Sequence, residues 1–144
     1  MIESNNKLLK IVSVYFLPSV GVEEISENYP SASITLYDGY DWEEIKFTEA
    51  SYKEPASETS DGTLYQQSLQ MVLAGDDATI QARLLELETS KPIIRFDYHD
   101  GTSKIFGDKE NYCKVLAGND STDFVTKNYV IITRSSSYRA FFLI

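Results

Sequence analysis

Apolar and polar residues alternate along most of this chain, which is the pattern of strands that bury one face. The clearest run covers residues 65–73, where glutamine and serine side chains lie on one side and Gln67 interrupts the other. The apolar positions of that run are Tyr65, Leu69, Met71 and Leu73. Shorter runs of the same kind bring the expected number of strands to about seven to nine.

Prolines, glycines and charged residues set the boundaries between these runs. The first strand ends at Pro18, a short strand covers residues 33–37, and a longer one starts at Ile45 and continues toward Tyr52. Residues 21–30 carry three glutamates among few apolar residues, so we expect a connection there.

One segment has the period of an amphipathic helix. Ile80, Leu84 and Leu87 recur at spacings of four and three, and the aspartates at 76–77 can accept hydrogen bonds from the free N–H groups of the first turn. We therefore expect a mainly β, α+β fold. Its form is an antiparallel β-sandwich or barrel with one α-helix, at about residues 77–89, packed on it.

The whole chain, residues 1–144, has the length of a single domain with one continuous core. Within it, residues 53–62 are polar, contain Pro55 and Gly62, and have no periodic apolar position. We expect an extended, mobile loop there, between two strands that can pair with each other.

Charge restricts the partners of this chain. It has 22 acidic and 13 basic residues, for a formal net charge of -9. Because nucleic-acid binding draws most of its affinity from cations that displace counterions, we expect no tight binding of DNA or RNA, although DNA can pass through an acidic lumen. No apolar run approaches the ~20 residues of a membrane-spanning helix, so we expect no membrane partner.

Candidate chemistry centres on the segment RFDYHDGTSKIF, which holds His99, the only histidine. An Asp-Gly pair between two alternating runs favours a β-hairpin with a two-residue type I′ turn. In that register His99 faces Thr102, and Asp97 faces Lys104 as an opposite-charge pair. Every residue of the motif then has a structural role.

The alternative is a metal or acid/base site formed by His99 with Asp97 and Asp100. Catalytic zinc takes three protein ligands, and no second histidine is present to complete them. The single Cys113 excludes a cysteine-rich zinc site, and neither EF-hand spacing, a G-x-S-x-G motif nor a phosphate-binding glycine loop occurs. We therefore expect no enzyme activity, no catalytic or metal site, and no cofactor.

Aromatic residues are numerous, with ten tyrosines, seven phenylalanines and one tryptophan. Three of them, Tyr37, Tyr40 and Trp42, are crowded onto one turn. Aromatic side chains in such a place serve either a protein interface or the core of the sandwich, and both remain open for these candidate contact residues.

The order of the expected elements resembles a known class of proteins. A hairpin with a long polar connection at 43–75 precedes a short helix at 76–91, an Asp-Gly hairpin at 92–108 and closing strands at 127–144. This pattern resembles the small β-rich virion proteins of tailed bacteriophages, including crAss-like phages, that build tail tubes, tail terminators and head-to-tail connector rings.

The resemblance implies a non-catalytic structural subunit of the virion, assembled in the host cytoplasm with copies of itself and other virion proteins into a ring or tube through which DNA passes. Sheet edges and the 53–62 loop, with Lys53, Pro55 and Asp61, would form its contacts. Deletion of residues 55–61 should then leave a folded monomer that no longer assembles.

A different class of function stays open. A monomeric binding module, such as a carbohydrate- or protein-binding sandwich, an inhibitor or an immunity protein, would use the turn with Tyr37, Tyr40 and Trp42. It would stay monomeric at high concentration, and its tryptophan fluorescence would change when the ligand binds.

Overall fold

The computed structural model describes residues 9–122 and 125–144. These residues form twelve strands in two sheets and one α-helix, α1, which covers Ala78–Thr89. In chain order the strands are β1 Ile11–Leu17, β2 Val22–Asn28, β3 Ser31–Leu36, β4 Glu43–Ile45, β5 Glu49–Lys53, β6 Ala56–Thr59, β7 Gly62–Ala74, β8 Ile93–Tyr98, β9 Ser103–Phe106, β10 Lys114–Thr122, β11 Val125–Ser136 and β12 Phe141–Leu143.

Two sheets make up the sandwich. The seven-stranded sheet has the order β2-β3-β12-β9-β8-β1-β4, and the five-stranded sheet has the order β10-β11-β7-β5, with β6 also paired to β7. Among the described strands the pairings are antiparallel, except that β12 runs parallel to β3. The predicted mainly β fold with one helix is confirmed.

The main core lies between the two sheets, and its buried side chains include Phe16, Phe96, Leu69, Ile132 and, from the helix, Leu87. A second apolar layer covers the other face of the seven-stranded sheet. There the side chains packed around the β2–β3 hairpin are Leu17, Ile25, Ile34, Trp42, Ile93 and Ile105. The central strands of this sheet are therefore buried on both faces, which explains consecutive apolar residues in β1 and β8.

Helix α1 begins and ends close to the predicted residues 77–89. Asp77 is its N-cap, and the Oδ1 atom of Asp77 accepts a hydrogen bond from the N–H of Ile80 at 2.9 Å. Leu84 and Leu87 are the buried residues of the helix. No helix within the described ranges is long and apolar enough to cross a membrane.

The strand count was underestimated, in part because β2 and β6 lack a clear apolar pattern. Residues 21–30, predicted to be a connection, contain β2, so that prediction is wrong. Within β2 only Val22 is buried and Ile25 half-buried, because it is the outer strand of its sheet. Alternation cannot reveal a strand that buries so few side chains.

Residues 45–52, predicted as one strand, belong to two strands in different sheets. β4 ends at Ile45 and pairs with β1, whereas β5 begins at Glu49 and pairs with β7. The chain crosses between the sheets in the intervening residues. The alternation continues through this crossing because both strands turn side chains toward the same core.

The prediction of a loop over residues 53–62 is wrong, because most of this segment lies in strands. It contains the end of β5, all of β6 and the first residue of β7. β5 and β6 pair with β7 in one register, and the turn between β6 and β7 has only two residues, Ser60 and Asp61. The pairs that define this register are Lys53 with Ser68, Ala56 with Tyr65, and Thr59 with Gly62. Backbone pairing holds the segment in place, so no periodic apolar side chain is needed.

The Asp-Gly hairpin joins β8 to β9, one residue out of the predicted register. The N–H of Tyr98 donates to the carbonyl of Thr102 at 2.8 Å, which leaves a three-residue loop. Gly101, with φ +91°, takes the left-handed position that such loops require. Asp97 therefore lies one position away from Lys104, and the predicted two-residue turn and cross-strand ion pair are wrong.

Candidate functional site

A two-stranded ribbon, residues 56–64, extends from the five-stranded sheet. It consists of β6 and the start of β7, and it lies beyond the last pair between β7 and β11, which joins Tyr65 to Ser136. Residues 56–63 are exposed. Because an isolated two-stranded hairpin is marginally stable in water, this 56–64 ribbon is a candidate for contact with another molecule.

Lys53, Pro55 and Asp61, predicted from the sequence as contact residues, lie along this side of the sheet. The carbonyl of Pro55 accepts from the N–H of Gln66 at 3.0 Å, so the proline nitrogen, which lacks a proton, also faces β7 rather than the outer edge. The N–H of Asp61 donates to Oγ1 of Thr59 at 3.3 Å within the turn. The three predicted residues are thus spread along one side of the sheet, on β5, on the β5–β6 connection and at the ribbon tip.

Glu54 fixes the base of the 56–64 ribbon. Its Oε2 atom accepts hydrogen bonds from the Tyr52 hydroxyl and from the N–H of Ala140, each at 3.0 Å. Burial, with a smaller contribution from the Glu54 charge, raises the pKa of Tyr52 well above its usual value. The Tyr52 ring packs against Phe96 at 4.6 Å between centroids, so one carboxylate ties the ribbon to the main core.

Three aromatic rings lie near the ribbon base. Tyr29 and Tyr138 are 5.2 Å apart between ring centroids, and Phe141 lies 5.4 Å from Tyr29. Tyr29 and Tyr138 are 47% and 49% exposed, and Tyr138 lines a cleft of about 410 Å³ together with Leu64 of the ribbon. The sequence analysis did not select these tyrosines, because only the tertiary structure brings their distant segments together.

Arg134 forms one wall of the same cleft. Its guanidinium group donates to Oδ2 of Asp108 at 2.9 Å, to the carbonyl of Asn111 at 2.8 Å and to Oε1 of Gln67 at 3.4 Å. Its side chain is 9% exposed. These bonds connect β11 to the segment after β9, so Arg134 serves the structure of the cleft wall.

The predicted aromatic turn is divided between surface and core. Tyr37 and Tyr40 are 46% and 41% exposed. Trp42 is half-buried in the second apolar layer, with its ring 5.8 Å from Cζ of Arg95, whose Nε donates to Asp97 at 2.9 Å. The turn follows β3 of the seven-stranded sheet, so it belongs to a different sheet from the 56–64 ribbon.

His99 has local hydrogen-bond partners. Its Nδ1 atom accepts from the N–H of Lys10 at 2.9 Å, and its own N–H donates to the carbonyl of Lys10 at 2.9 Å. Oδ1 of Asp100 accepts from the hydroxyl of Thr102 at 2.7 Å, which lowers the pKa of Asp100. Among residues 9–122 and 125–144, no three His, Cys, Asp or Glu side chains are placed to hold a metal ion.

A small carboxylate cluster joins α1 to β4. Oε1 of Glu43 lies 3.4 Å from Nη1 of Arg83, which lies 3.6 Å from Oε2 of Glu86. Oε2 of Glu43 is shielded from solvent and has no hydrogen-bond partner in the described part of the chain. Desolvation and the neighbouring Glu86 raise the pKa of Glu43, while Arg83 lowers it.

The outer strand β10 presents another accessible surface. Residues 116–122 are exposed on both faces of this strand. On the outer face of the five-stranded sheet, Leu116, Tyr129 and Ile131 are 55%, 37% and 37% exposed. The sequence predicted strands here, but the alternation of apolar and polar residues does not indicate which strand lies at the edge of a sheet.

No protein-family model matches this chain, and neither a curated protein nor a solved structure matches it. The surfaces described above, the 56–64 ribbon, the aromatic turn and the β10 edge, are therefore the basis for inferring what the molecule does.

Proposed function

We propose that the protein is a non-catalytic structural subunit of a phage-type assembly, in a tail or connector ring or tube. It associates with further copies through sheet edges and through the 53–62 segment. The order of a long hairpin, a short helix, a second hairpin and closing strands, on which the resemblance to phage virion proteins rests, is the order of β5 to β12 in the fold.

The observation that carries the proposal is the exposed 56–64 ribbon. Ala56 and Glu58 alternate with residues that bond to β7, so their backbone N–H and C=O groups point to the open edge. A strand of a neighbouring subunit can pair with that edge, as in other cases of strand addition. A contact between the ribbon of one copy and a different surface of the next is heterologous, which is the kind that closes rings.

The net charge of -9 is compatible with this role. A ring or tube that conducts DNA must not hold the phosphate backbone tightly, and an acidic subunit lacks the cations that such binding needs. Other virion proteins are the further partners in this proposal.

Shortening the ribbon tests the proposal. Residues 58–63 are replaced by Asn-Gly, so that Ser57 and Leu64, whose N–H and C=O groups face each other, close a two-residue hairpin and the rest of the sheet keeps its register. We expect a folded protein that no longer forms the rings or tubes of the wild type, measured by sedimentation velocity and negative-stain imaging. The control replaces only Ser60 and Asp61 by Asn-Gly, which keeps the ribbon length and should preserve assembly.

The same measurements distinguish the second candidate function, a binding module. The exposed Tyr37 and Tyr40 favour it, since tyrosines contribute large contact areas at low entropic cost. A wild-type protein that stays monomeric at millimolar concentration, and whose Trp42 fluorescence changes with a carbohydrate or protein ligand, would replace the structural-subunit proposal by this one.

A further inference from the structure

We propose that β10 pairs with β10 of a second copy, antiparallel and about a two-fold axis at Ala117, so that two five-stranded sheets become one continuous sheet. The inference deepens the proposed self-association and rests on it. It uses a different strand from the 56–64 ribbon, so the two contacts can be tested separately.

The backbone of β10 has open hydrogen-bonding groups along one side. The bond from Gln66 N–H to the carbonyl of Pro55 sets the alternation across the sheet, because successive residues of a strand bond to opposite neighbours. The pairs of β7 with β11 and of β11 with β10 carry this alternation to the outer strand. The backbone N–H and C=O groups of even-numbered β10 residues therefore face β11. The bond from Gly75 N–H to the carbonyl of Thr126, at 3.1 Å, fits the same alternation.

The odd-numbered residues of β10 therefore direct their N–H and C=O groups to the outer edge. These residues are Val115, Ala117, Asn119 and Ser121. No strand among the described residues pairs with this edge. Val115 packs against the main core and α1 contacts β10, but residues 116–122 are exposed and can accept another strand.

Charge determines the register and selects a second copy as the partner. Lys114 and Asp120 lie on the same face of β10, opposite Thr133 and Lys127 of β11. When two antiparallel β10 strands are centred on Ala117, Lys114 of each copy lies opposite Asp120 of the other. The two-fold axis thus produces two opposite-charge cross-strand pairs.

Neighbouring registers lack this match. Centring the pair on Gly118 places Leu116 opposite Asp120 of the second copy, and centring it on Leu116 places Lys114 opposite Gly118. The Ala117 register also brings two alanines together at the axis, where a small side chain gives no steric obstacle.

The outer face adds apolar contact to the charge pairs. In the Ala117 register Leu116 lies opposite Gly118 of the second copy, and Gly118 lies beside Tyr129 within its own sheet. A Cβ atom at Gly118 would meet nothing within 4 Å, so the space beside the Tyr129 ring is open. Leu116, which is 55% exposed, can fill that space and join the exposed Tyr129 and Ile131 of both copies into one apolar stripe.

The first test mixes two charge variants, Lys114→Glu and Asp120→Lys. Each alone places like charges opposite each other in its homodimer, so we expect its dimer dissociation constant at low salt to rise about tenfold or more. In an equimolar mixture the introduced glutamate faces the introduced lysine, and the native pair re-forms at the other end. Sedimentation velocity should then show dimerisation near the wild-type level; a mixture as weak as the separate variants contradicts the register.

The second test detects the two-fold axis directly and works for a weak dimer. Opposed residues of a hydrogen-bonded antiparallel pair have Cα atoms about 5.5 Å apart, which suits a disulfide. Ala117→Cys should therefore cross-link two copies on mild oxidation. In Asn119→Cys the two thiols are offset by four residues along the strand, about 13 Å, so that variant should not cross-link.

The native thiol does not interfere, because Cys113 is buried, and burial raises the pKa of its thiol to about 12. Equal cross-linking of the two cysteine variants, or none in Ala117→Cys, would overturn the proposed pairing. So would cross-linking of Ala117→Cys to a different protein in place of its own copy.

The outcomes for the two contacts are distinguishable. If shortening the ribbon abolishes the large particles and the β10 variants have no effect, the β10 pairing is ruled out and the proposed function stands. If the β10 variants weaken a dimer and shortening the 56–64 ribbon does not change the size of the assembly, the β10 pairing is supported and the ring or tube is ruled out.

Discussion

Folding raises the pKa of the Glu43 carboxyl group, which makes stability depend on pH. Its raised pKa means that the folded protein binds a proton more readily than the unfolded chain, in which the value is near 4.5. The stabilisation by that proton is complete below pH 4.5 and is lost as the pH rises through the higher pKa of the folded state. Deprotonation therefore destabilises the fold.

We expect Glu43→Gln to remove this pH-dependent loss of stability, because the glutamine side chain stays neutral. Denaturant unfolding from pH 4 to 8 should show the variant gaining stability relative to the wild type as the pH rises above about 4.5. The gain should stay at about 0.5 kcal/mol or less, because the side chain is 38% exposed and Arg83 offsets part of the effect. Parallel pH profiles for the two proteins would contradict the raised pKa.

The capping of helix α1 was predictable from the sequence. Asp77, one of the two aspartates expected to cap the helix, does so because its partner is the N–H of Ile80 three residues away. The partner of Asp97 was not predictable: a one-residue change in loop length moved Lys104 away from it, and Arg95 took its place. A motif predicts a hairpin, but loop geometry decides its register.

At the scale of elements, the 53–62 segment differs most from its prediction. Its polar composition resembles that of a loop, yet β6 lies in the same register with β7 as β5 does. A strand exposed on both faces has no alternation to detect, since alternation reports burial of one face and not backbone pairing. Lys53, Pro55 and Asp61, which the sequence predicted as contact residues, thus lie on paired or tightly turned backbone.

Glu54 is the residue that joins this strand to the rest of the fold. Glu54→Ala removes the acceptor of the Tyr52 hydroxyl and of the Ala140 N–H, and we expect it to reduce the free energy of unfolding by about 1–3 kcal/mol. Urea unfolding measures the loss. Glu58→Ala, on the exposed 56–64 ribbon, is the matched control and should change stability by no more than about 0.5 kcal/mol. Equal effects of the two substitutions would show that Glu54 is not an anchor.

At the scale of the whole molecule, burial is unevenly distributed. The central strands of the seven-stranded sheet are covered on both faces, by the main core and by the second apolar layer. The five-stranded sheet keeps an open outer face with exposed Leu116, Tyr129 and Ile131. The surface that self-association would cover is therefore on the five-stranded sheet, at the β10 edge and the 56–64 ribbon.

Stability should then depend on protein concentration. Because association favours only the folded state, raising the concentration from below the dimer dissociation constant to 100-fold above it should add about 1–3 kcal/mol and raise the Tm by a few degrees. Lys114→Glu should show a smaller rise over the same range. Scanning calorimetry of both proteins checks this, and a concentration-independent Tm for the wild type would count against association of the folded chain.

The sequence established the mainly β fold and the helix α1, because period-two and period-3.6 apolar patterns report directly which side chains are buried. It also determined that His99 has no second imidazole beside it. The folded structure was needed to reveal the crossing between sheets after Ile45, the aromatic pair Tyr29 and Tyr138, and the position of β10 at an edge. These features depend on which segments become neighbours, and backbone pairing between distant segments leaves no periodic mark on either one.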